Sequence, residues 1–183
     1  MKALFIKYKP VIKFIFIFLV VYVTLSVIYK LYLQYAEGSR FYPDYITNLV
    51  AKQTSALLNV LGYEVKVLPH TNELSMKVIV NGVYLARVIE GCNAVSVIIL
   101  FMSFIAAFFA KLKNTLRYMF FGSVLIYIVN VLRIVVLTMG LYHYPQYGDV
   151  LHGVVFPAII YGMVFLLWIL WVNRFSKLKK KDA

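Results

Sequence analysis

Long apolar runs, separated by basic or mixed segments, make up most of this chain. Residues 92–110 supply 19 residues without a charge, and three other runs are of similar length. A helix needs about 20 predominantly apolar residues to cross about 30 Å of hydrocarbon. The pattern predicts an all-α polytopic membrane protein with four transmembrane helices, over about residues 14–33, 92–110, 118–139 and 154–172.

Residues 36–90 interrupt this pattern with a mixed composition that predicts a water-facing α+β insert. Apolar residues recur at helical spacing from Tyr45 to Leu61, which indicates an amphipathic helix. Two runs rich in β-branched residues, Met76–Val80 and Val83–Ile89, flank Asn81-Gly82, a strong signal for a β-hairpin. The predicted hairpin leads the chain directly to Cys92.

Composition agrees with a membrane protein and argues against other classes. Hydrophobic residues make up 63% of the 183 positions and charged residues 14%, which is outside the usual range of soluble domains. The net charge of +12 lies mostly beside the apolar runs, where it indicates membrane topology rather than nucleic-acid binding. A chain of this length is expected to form a single membrane domain over residues 1–183.

The distribution of lysine and arginine predicts the orientation. Twelve of the 19 lie before the first span, between the second and third spans, or after the fourth, and six lie on the opposite side from Lys30 to Arg87. The positive-inside rule then places both termini in the cytoplasm (N-in, C-in) and the 36–90 insert outside the cytoplasmic (inner) membrane.

Cys92 is the only cysteine, so it cannot form an intramolecular disulfide, and no metal site is expected around it. It is therefore either an inert buried thiol or a nucleophile. In the predicted topology Cys92 begins the second span and His152 precedes the fourth, both at the outer face. Arg133 lies in the third span, about 9 Å below that span's outer end. Three residues from three helices are thus expected in one layer.

These side chains have complementary chemistry. A helix N-terminus and a nearby cation both favour the thiolate of Cys92. A neutral His152 can accept or relay a proton, and Arg133 can stabilise the thiolate or an oxyanion. The combination favours acyl transfer at the outer membrane face. Glu90 is expected to orient His152 or to cap the second span, and Asn130 extends a polar stripe with Arg133 along one helix face.

Other interpretations stay open for each residue. Arg133 can reach the outer headgroups instead of a site, because long basic side chains extend toward the interface. His152 can be an ordinary interfacial histidine, and His143, in the turn before the fourth span, is an alternative to it. His70 is interpreted as a surface residue.

Three segments resemble the signature blocks of the exosortase/archaeosortase family: Glu90-Gly91-Cys92-Asn93-Ala94, Asn130-Val131-Leu132-Arg133-Ile134 and His152-Gly153. In size and layout the chain is most similar to the XrtF-like exosortases. The resemblance implies a membrane cysteine transpeptidase or protease that cleaves a C-terminal sorting signal of secreted proteins. Such a signal is a short motif, a membrane helix and a basic tail.

The resemblance also implies roles for individual residues. Cys92 corresponds to the nucleophile, which would form a thioester; Arg133 corresponds to the conserved arginine and His152 to the third catalytic position, with Glu90, Asn93 and Asn130 in supporting places. Some relatives have arginine at the third position, so whether His152 acts as a base is open. A thiol enzyme of this kind needs no cofactor.

A second hypothesis is a non-enzymatic membrane assembly or scaffold protein in which Cys92 is incidental. Under the first hypothesis the partners are secreted proteins with the sorting signal and a lipid or glycan acceptor, or water. The sequence leaves open the substrate motif, the acceptor, the oligomeric state and the role of the insert. The edge of the hairpin is one candidate for binding an extended peptide.

Overall fold

The computed structural model describes the backbone of residues 2–36 and 41–175 and the side chains of residues 8–36 and 41–174. Within these residues the elements are, in chain order, α1 (Lys2–Ala36), α2 (Tyr45–Val60), β1 (Val65–Pro69), β2 (Met76–Val80), β3 (Val83–Val88), a 3-10 turn (Glu90–Cys92), α3 (Val95–Ala107), α4 (Leu112–His143), a 3-10 turn (Pro145–Tyr147), α5 (Gly148–Val150), a π-helical turn (Leu151–Val155) and α6 (Phe156–Phe175). Arg40 and the C-terminal lysines of the charge count lie outside the described residues.

Three helices of the described chain are long and apolar enough to cross a membrane: Tyr8–Ala36, Leu112–His143 and Pro145–Arg174. They correspond to the first, third and fourth predicted spans, and each extends beyond its predicted ends. Large apolar side chains project from them and are mostly exposed, such as Phe16 and Phe121, at 68% and 67%. Such surfaces are expected to face lipid. The chain is therefore a mostly helical, polytopic membrane protein.

The second predicted span differs from the structure at both ends. Only Val95–Ala107 is helical, and its 13 residues reach about 20 Å, which is less than the bilayer core. The segment after Ala107 folds back onto protein. Trp171 donates from Nε1 to the Phe108 carbonyl at 2.9 Å, and the Ala110 amide donates to the Thr115 hydroxyl at 3.3 Å. Non-helical backbone at membrane depth needs such partners. The fourth crossing remains a prediction, with α3 as its helical part.

The 36–90 insert contains the predicted helix and hairpin, and it also has a strand that the sequence analysis missed. The three strands are antiparallel in the order β1-β2-β3. Asn81 and Gly82 both have positive φ, at 49° and 82°, as a type I′ hairpin turn requires. β1 was missed because it has five residues and ends in Pro69, which makes its pattern short and ambiguous.

α4 connects the helices and the insert, because it contributes to two separate cores. Near its middle, Ile126 packs with residues of α3 and α6, including Phe101 and Trp171. In its C-terminal half, Val131, Ile134 and Val135 pack with the buried residues of α2 and the sheet. The insert is thus attached to the C-terminal half of α4, on the face that carries these three residues.

The crossing of α3 and α4 depends on the absence of a side chain at Gly122. A Cβ added there would overlap the ring of Phe101, whereas a Cβ added at Gly162 in α6 would meet nothing within 4 Å. Phe101 is fully buried, so its ring has little room to move.

We expect Gly122→Ala to destabilise the fold by about 1–3 kcal/mol, because it overpacks a buried contact. Gly162→Ala is the matched control, and it should leave the stability unchanged or slightly higher since alanine favours the helix. Thermal unfolding of both variants in detergent checks this. Equal melting temperatures for the two variants would contradict the close packing at Gly122.

Candidate active site

Cys92 lies in a tight turn between the sheet and α3. The turn is closed by backbone hydrogen bonds from Cys92 to the Ile89 carbonyl at 2.9 Å and from Asn93 to the Glu90 carbonyl at 3.2 Å. Ala94 then adopts a left-handed conformation, with φ of 69°, before α3 begins at Val95. The prediction that Cys92 begins the helix itself is therefore wrong.

Asn93 fixes this turn to three neighbouring segments. Its side chain is fully buried, and its amide donates to the Tyr29 hydroxyl at 2.8 Å and to the Thr47 hydroxyl at 3.0 Å. Its carbonyl oxygen accepts from the Val95 amide at 3.0 Å. One carboxamide therefore joins α1, α2 and the start of α3. The structure gives Asn93 a supporting place beside Cys92.

Asn130 fastens the same turn to α4. Its side-chain amide donates to the Cys92 carbonyl at 2.7 Å, and the residue is 2% exposed. One turn earlier in α4, the Tyr127 hydroxyl donates to Gln53 of α2 at 2.7 Å. The polar stripe that the sequence indicates on this helix thus faces the insert. At Tyr127 and Asn130 its groups serve to hold the insert and the Cys92 turn.

A cavity of about 370 Å³ lies between β3, α4 and the turn that leads into the last helix. Cys92, Arg133 and His152 all line it. The structure therefore brings to one cavity the three residues that the sequence analysis singled out, each from a different element. The other lining residues are Leu85, Ala86, Arg87, Val88, Ile134, Leu137, Leu141, Pro145, Gln146, Gly148 and Asp149.

Arg133 reaches the cavity with an unsatisfied donor. Its Nε is buried, and no described residue accepts a hydrogen bond from it. Among the described residues, neither of the two ion pairs includes Arg133. A buried donor without an acceptor costs about 1–3 kcal/mol. Because the residue also lines the cavity, its positive charge suits a group that stabilises an anionic or carbonyl oxygen bound there.

His152 lies inside a helix rather than at its N-terminus. Helical backbone begins at Gly148, and Leu151–Val155 form a π-helical turn. The Phe156 amide donates to the Leu151 carbonyl across this wide turn, just before Pro157. Insertions of this kind occur often at functional sites. The predicted N-terminal position of His152 is therefore wrong, but its side chain is exposed and borders the cavity.

His143, the alternative to His152, has a structural partner elsewhere. Its Nε2 is 2.7 Å from the hydroxyl of Tyr63 in the insert, and it does not line the cavity. His70 accepts a hydrogen bond at Nδ1 from the Asn72 amide at 3.1 Å, in a loop of the insert. Among the three histidines, only His152 borders the same cavity as Cys92.

Glu90 does not take the position that the sequence analysis expected for an acid near His152. It starts the 3-10 turn, its side chain is exposed, and it does not line the cavity. Asp149 does line it. Asp149 was not among the predicted site residues, although its spacing of three residues before His152 places both on one helix face. Arg87 and Gln146 were missed as well, because no local pattern points to them.

The chain matches the family model described as transmembrane exosortase (Exosortase_EpsH) over residues 7–173. No curated protein and no solved structure matches it. The matched range contains both the helices and the insert, together with every residue of the cavity described above. With that match over most of its length, the chain belongs to the transmembrane exosortase family.

Proposed function

We propose that this protein is a membrane cysteine transpeptidase in which Cys92 attacks a C-terminal sorting signal and forms a thioester. Family membership indicates a membrane transpeptidase that processes sorting signals. The observation that carries the residue assignment is the shared cavity of Cys92, Arg133 and His152. A thiol, a guanidinium and an imidazole in one cavity are sufficient for acyl transfer without a cofactor.

The proposed reaction proceeds in two halves. The sulfur of Cys92 attacks the carbonyl carbon of the scissile peptide bond, and His152 takes the thiol proton. The negative charge that develops on the carbonyl oxygen is stabilised by the guanidinium of Arg133, which lines the same cavity. As the C–N bond breaks, His152 protonates the leaving amine, and the substrate remains as a thioester on Cys92.

In the second half, an acceptor nucleophile replaces the thiol. A lipid or glycan amine, or water, attacks the thioester carbonyl, His152 removes the proton of the acceptor, and the Cys92 thiol is released. The apolar lining of the cavity beside Arg133, which includes Ile134, Leu137 and Leu141, excludes water from the charged intermediate and strengthens its interaction with the guanidinium.

Asp149 is proposed to position the imidazole of His152, the role that the sequence analysis gave to Glu90. The two residues are three apart on one helix and line one cavity. A carboxylate that orients a histidine is a recurring feature of nucleophilic active sites.

Two finer assignments belong to the same proposal. The layout of the chain supports the XrtF-like subgroup of exosortases. The charge distribution supports a site that opens on the extracytoplasmic side of the inner membrane, with both termini in the cytoplasm. The partners are then secreted proteins that carry a motif, a membrane helix and a basic tail. A non-enzymatic scaffold is the alternative function, and the first experiment below distinguishes it.

We expect Cys92→Ala and Cys92→Ser to abolish processing of a secreted protein that bears such a signal, with a loss of at least about 10³-fold. Arg133→Lys and His152→Ala should reduce processing by about 10²-fold or more. Mass spectrometry of wild-type enzyme quenched during turnover should find the truncated substrate joined to Cys92.

The matched control is Ser103→Ala, because Ser103 bonds the Ile99 carbonyl within α3 at 2.7 Å and does not line the cavity. It should process substrate at the wild-type rate. If cells that carry the Cys92→Ala variant still process the secreted protein, the chain is a scaffold and the enzymatic proposal is overturned.

Asp149→Asn should lower kcat by about tenfold and leave KM nearly unchanged, because a positioning group affects the reaction more than substrate binding. Glu90→Gln is the paired control, since it makes the same chemical change outside the cavity. Steady-state kinetics of the two variants provide the measurement. The assignment to Asp149 is refuted by the opposite ranking, with Glu90→Gln impaired and Asp149→Asn active.

A membrane-impermeant maleimide should label Cys92 in intact cells from the extracytoplasmic side. The control is a Cys92→Ala protein with Lys113→Cys, whose thiol lies at the start of α4 and should be protected until the cells are opened. A gel-shift assay measures the labelling of Cys92 and of the cysteine at position 113. Protection of Cys92 together with labelling of position 113 would reverse the proposed orientation.

A further inference from the structure

β3 is an edge strand whose free edge borders the cavity. It pairs with β2 on one side, and no described strand pairs with it on the other. Four consecutive residues, Leu85, Ala86, Arg87 and Val88, line the cavity. Successive side chains of a strand point to opposite faces of the sheet. A cavity over one face would therefore be lined by alternate residues, and consecutive lining residues indicate that the edge of β3 faces it.

The direction of the backbone groups of β3 can be inferred from the hydrogen bonds of β1. At Val65 the amide donates to the Asn59 side chain at 2.9 Å, and the carbonyl accepts from the Ser55 hydroxyl at 3.3 Å. Both partners belong to α2, so the backbone groups of Val65 point away from β2. Its antiparallel partner Val80 must then direct its own groups toward β3, because paired residues either share both bonds or neither.

Backbone direction alternates along a strand, so Lys77 of β2, three residues before Val80, directs its groups toward β1. Arg87 is opposite Lys77 and therefore directs its N–H and C=O away from β2, toward the cavity side. The register of β2 and β3 shifts by one residue between Val78 and Ile79, so Tyr84, opposite Ile79, has the same outward direction as Arg87. Tyr84 does not line the cavity. Among the described residues, no hydrogen bond from another element occupies the backbone groups of Arg87.

We propose that the motif of the sorting signal binds as an added strand on β3, exchanging main-chain hydrogen bonds with the N–H and C=O of Arg87. This inference rests on the proposed function, because it assigns the docking surface of that substrate. The edge stops where the chain turns, since the Ile89 carbonyl already accepts from the Cys92 amide at 2.9 Å. A peptide along β3 therefore runs toward Cys92.

The chemistry of the cavity favours an extended peptide as the occupant. An exposed strand edge offers one donor and one acceptor at Arg87, which match the backbone of any residue type except proline. The volume of about 370 Å³ is within the range of small ligand sites, which suits a short segment of the motif. The membrane helix that follows the motif would continue beside the apolar helices.

The test compares three variants of β3 in the full-length enzyme. Arg87→Pro removes the outward N–H, Arg87→Ala removes only the side chain and its ion pair with Glu73, and Tyr84→Pro makes the same backbone change outside the cavity. Proline is tolerated at edge positions whose N–H faces outward. The probe is an epitope-tagged secreted protein from the same genome that ends in an apolar helix and a basic tail.

We expect Arg87→Pro to process this protein at least about tenfold more slowly than Arg87→Ala, since it loses a main-chain bond and its ring blocks the added strand. Tyr84→Pro should match the wild type. Equal rates for Arg87→Pro and Arg87→Ala would overturn strand addition while the enzymatic proposal stands. Absence of processing by the wild type overturns the enzymatic proposal, and the inference with it.

Gel filtration in detergent shows whether Arg87→Pro folds. If it does not fold, the substrate is changed instead of the enzyme. Synthetic peptides of the signal, each with one N-methylated amide on the N-terminal side of the cleavage site, are offered to the wild-type enzyme. N-methylation at one position, and not at its neighbours, should raise KM about tenfold, because the methylated amide can no longer donate to the Arg87 carbonyl. A scan in which no position changes KM would refute the added strand.

Discussion

The site depends on how a non-helical turn is held where the chain enters its apolar helices. The backbone of the Cys92 turn has groups that no helix or sheet satisfies, and such groups are costly away from water. Asn130 supplies one of these partners, and Asn93 joins the turn to its neighbours. Asn93 joins the turn to α1, α2 and α3, and Asn130 holds the Cys92 carbonyl against α4. Because both carboxamides are buried, their bonds position Cys92 with little freedom.

The insert and the helices are one functional unit because α4 belongs to both of their cores. Its middle packs with α3 and α6, and its C-terminal half packs with α2 and the sheet. The cavity forms where these two regions meet, so one wall is an edge strand and another is a membrane helix. This arrangement suits a substrate that is extended at its motif and helical beyond it.

Arg133 shows how stability and function are opposed in this region. A central arginine is expensive in a membrane helix, and here one of its donors is buried without an acceptor from the described residues. The guanidinium also lines the cavity beside Cys92. A guanidinium kept available in this way is suited to bind an oxygen that gains negative charge during a reaction.

The sequence by itself determined the membrane class, the places of the apolar runs, the α2 helix and the Asn81-Gly82 hairpin. It also identified Cys92, Arg133 and His152 as candidate site residues. These follow from local periodicity, turn chemistry and the cost of polar groups in lipid, all of which are visible in short windows of sequence. The tertiary structure decided the rest: the short α3, the third strand, the links made by Asn93, and the presence of Asp149 rather than Glu90 at the cavity. Those features depend on contacts between residues far apart in the chain, whose energies no local pattern records.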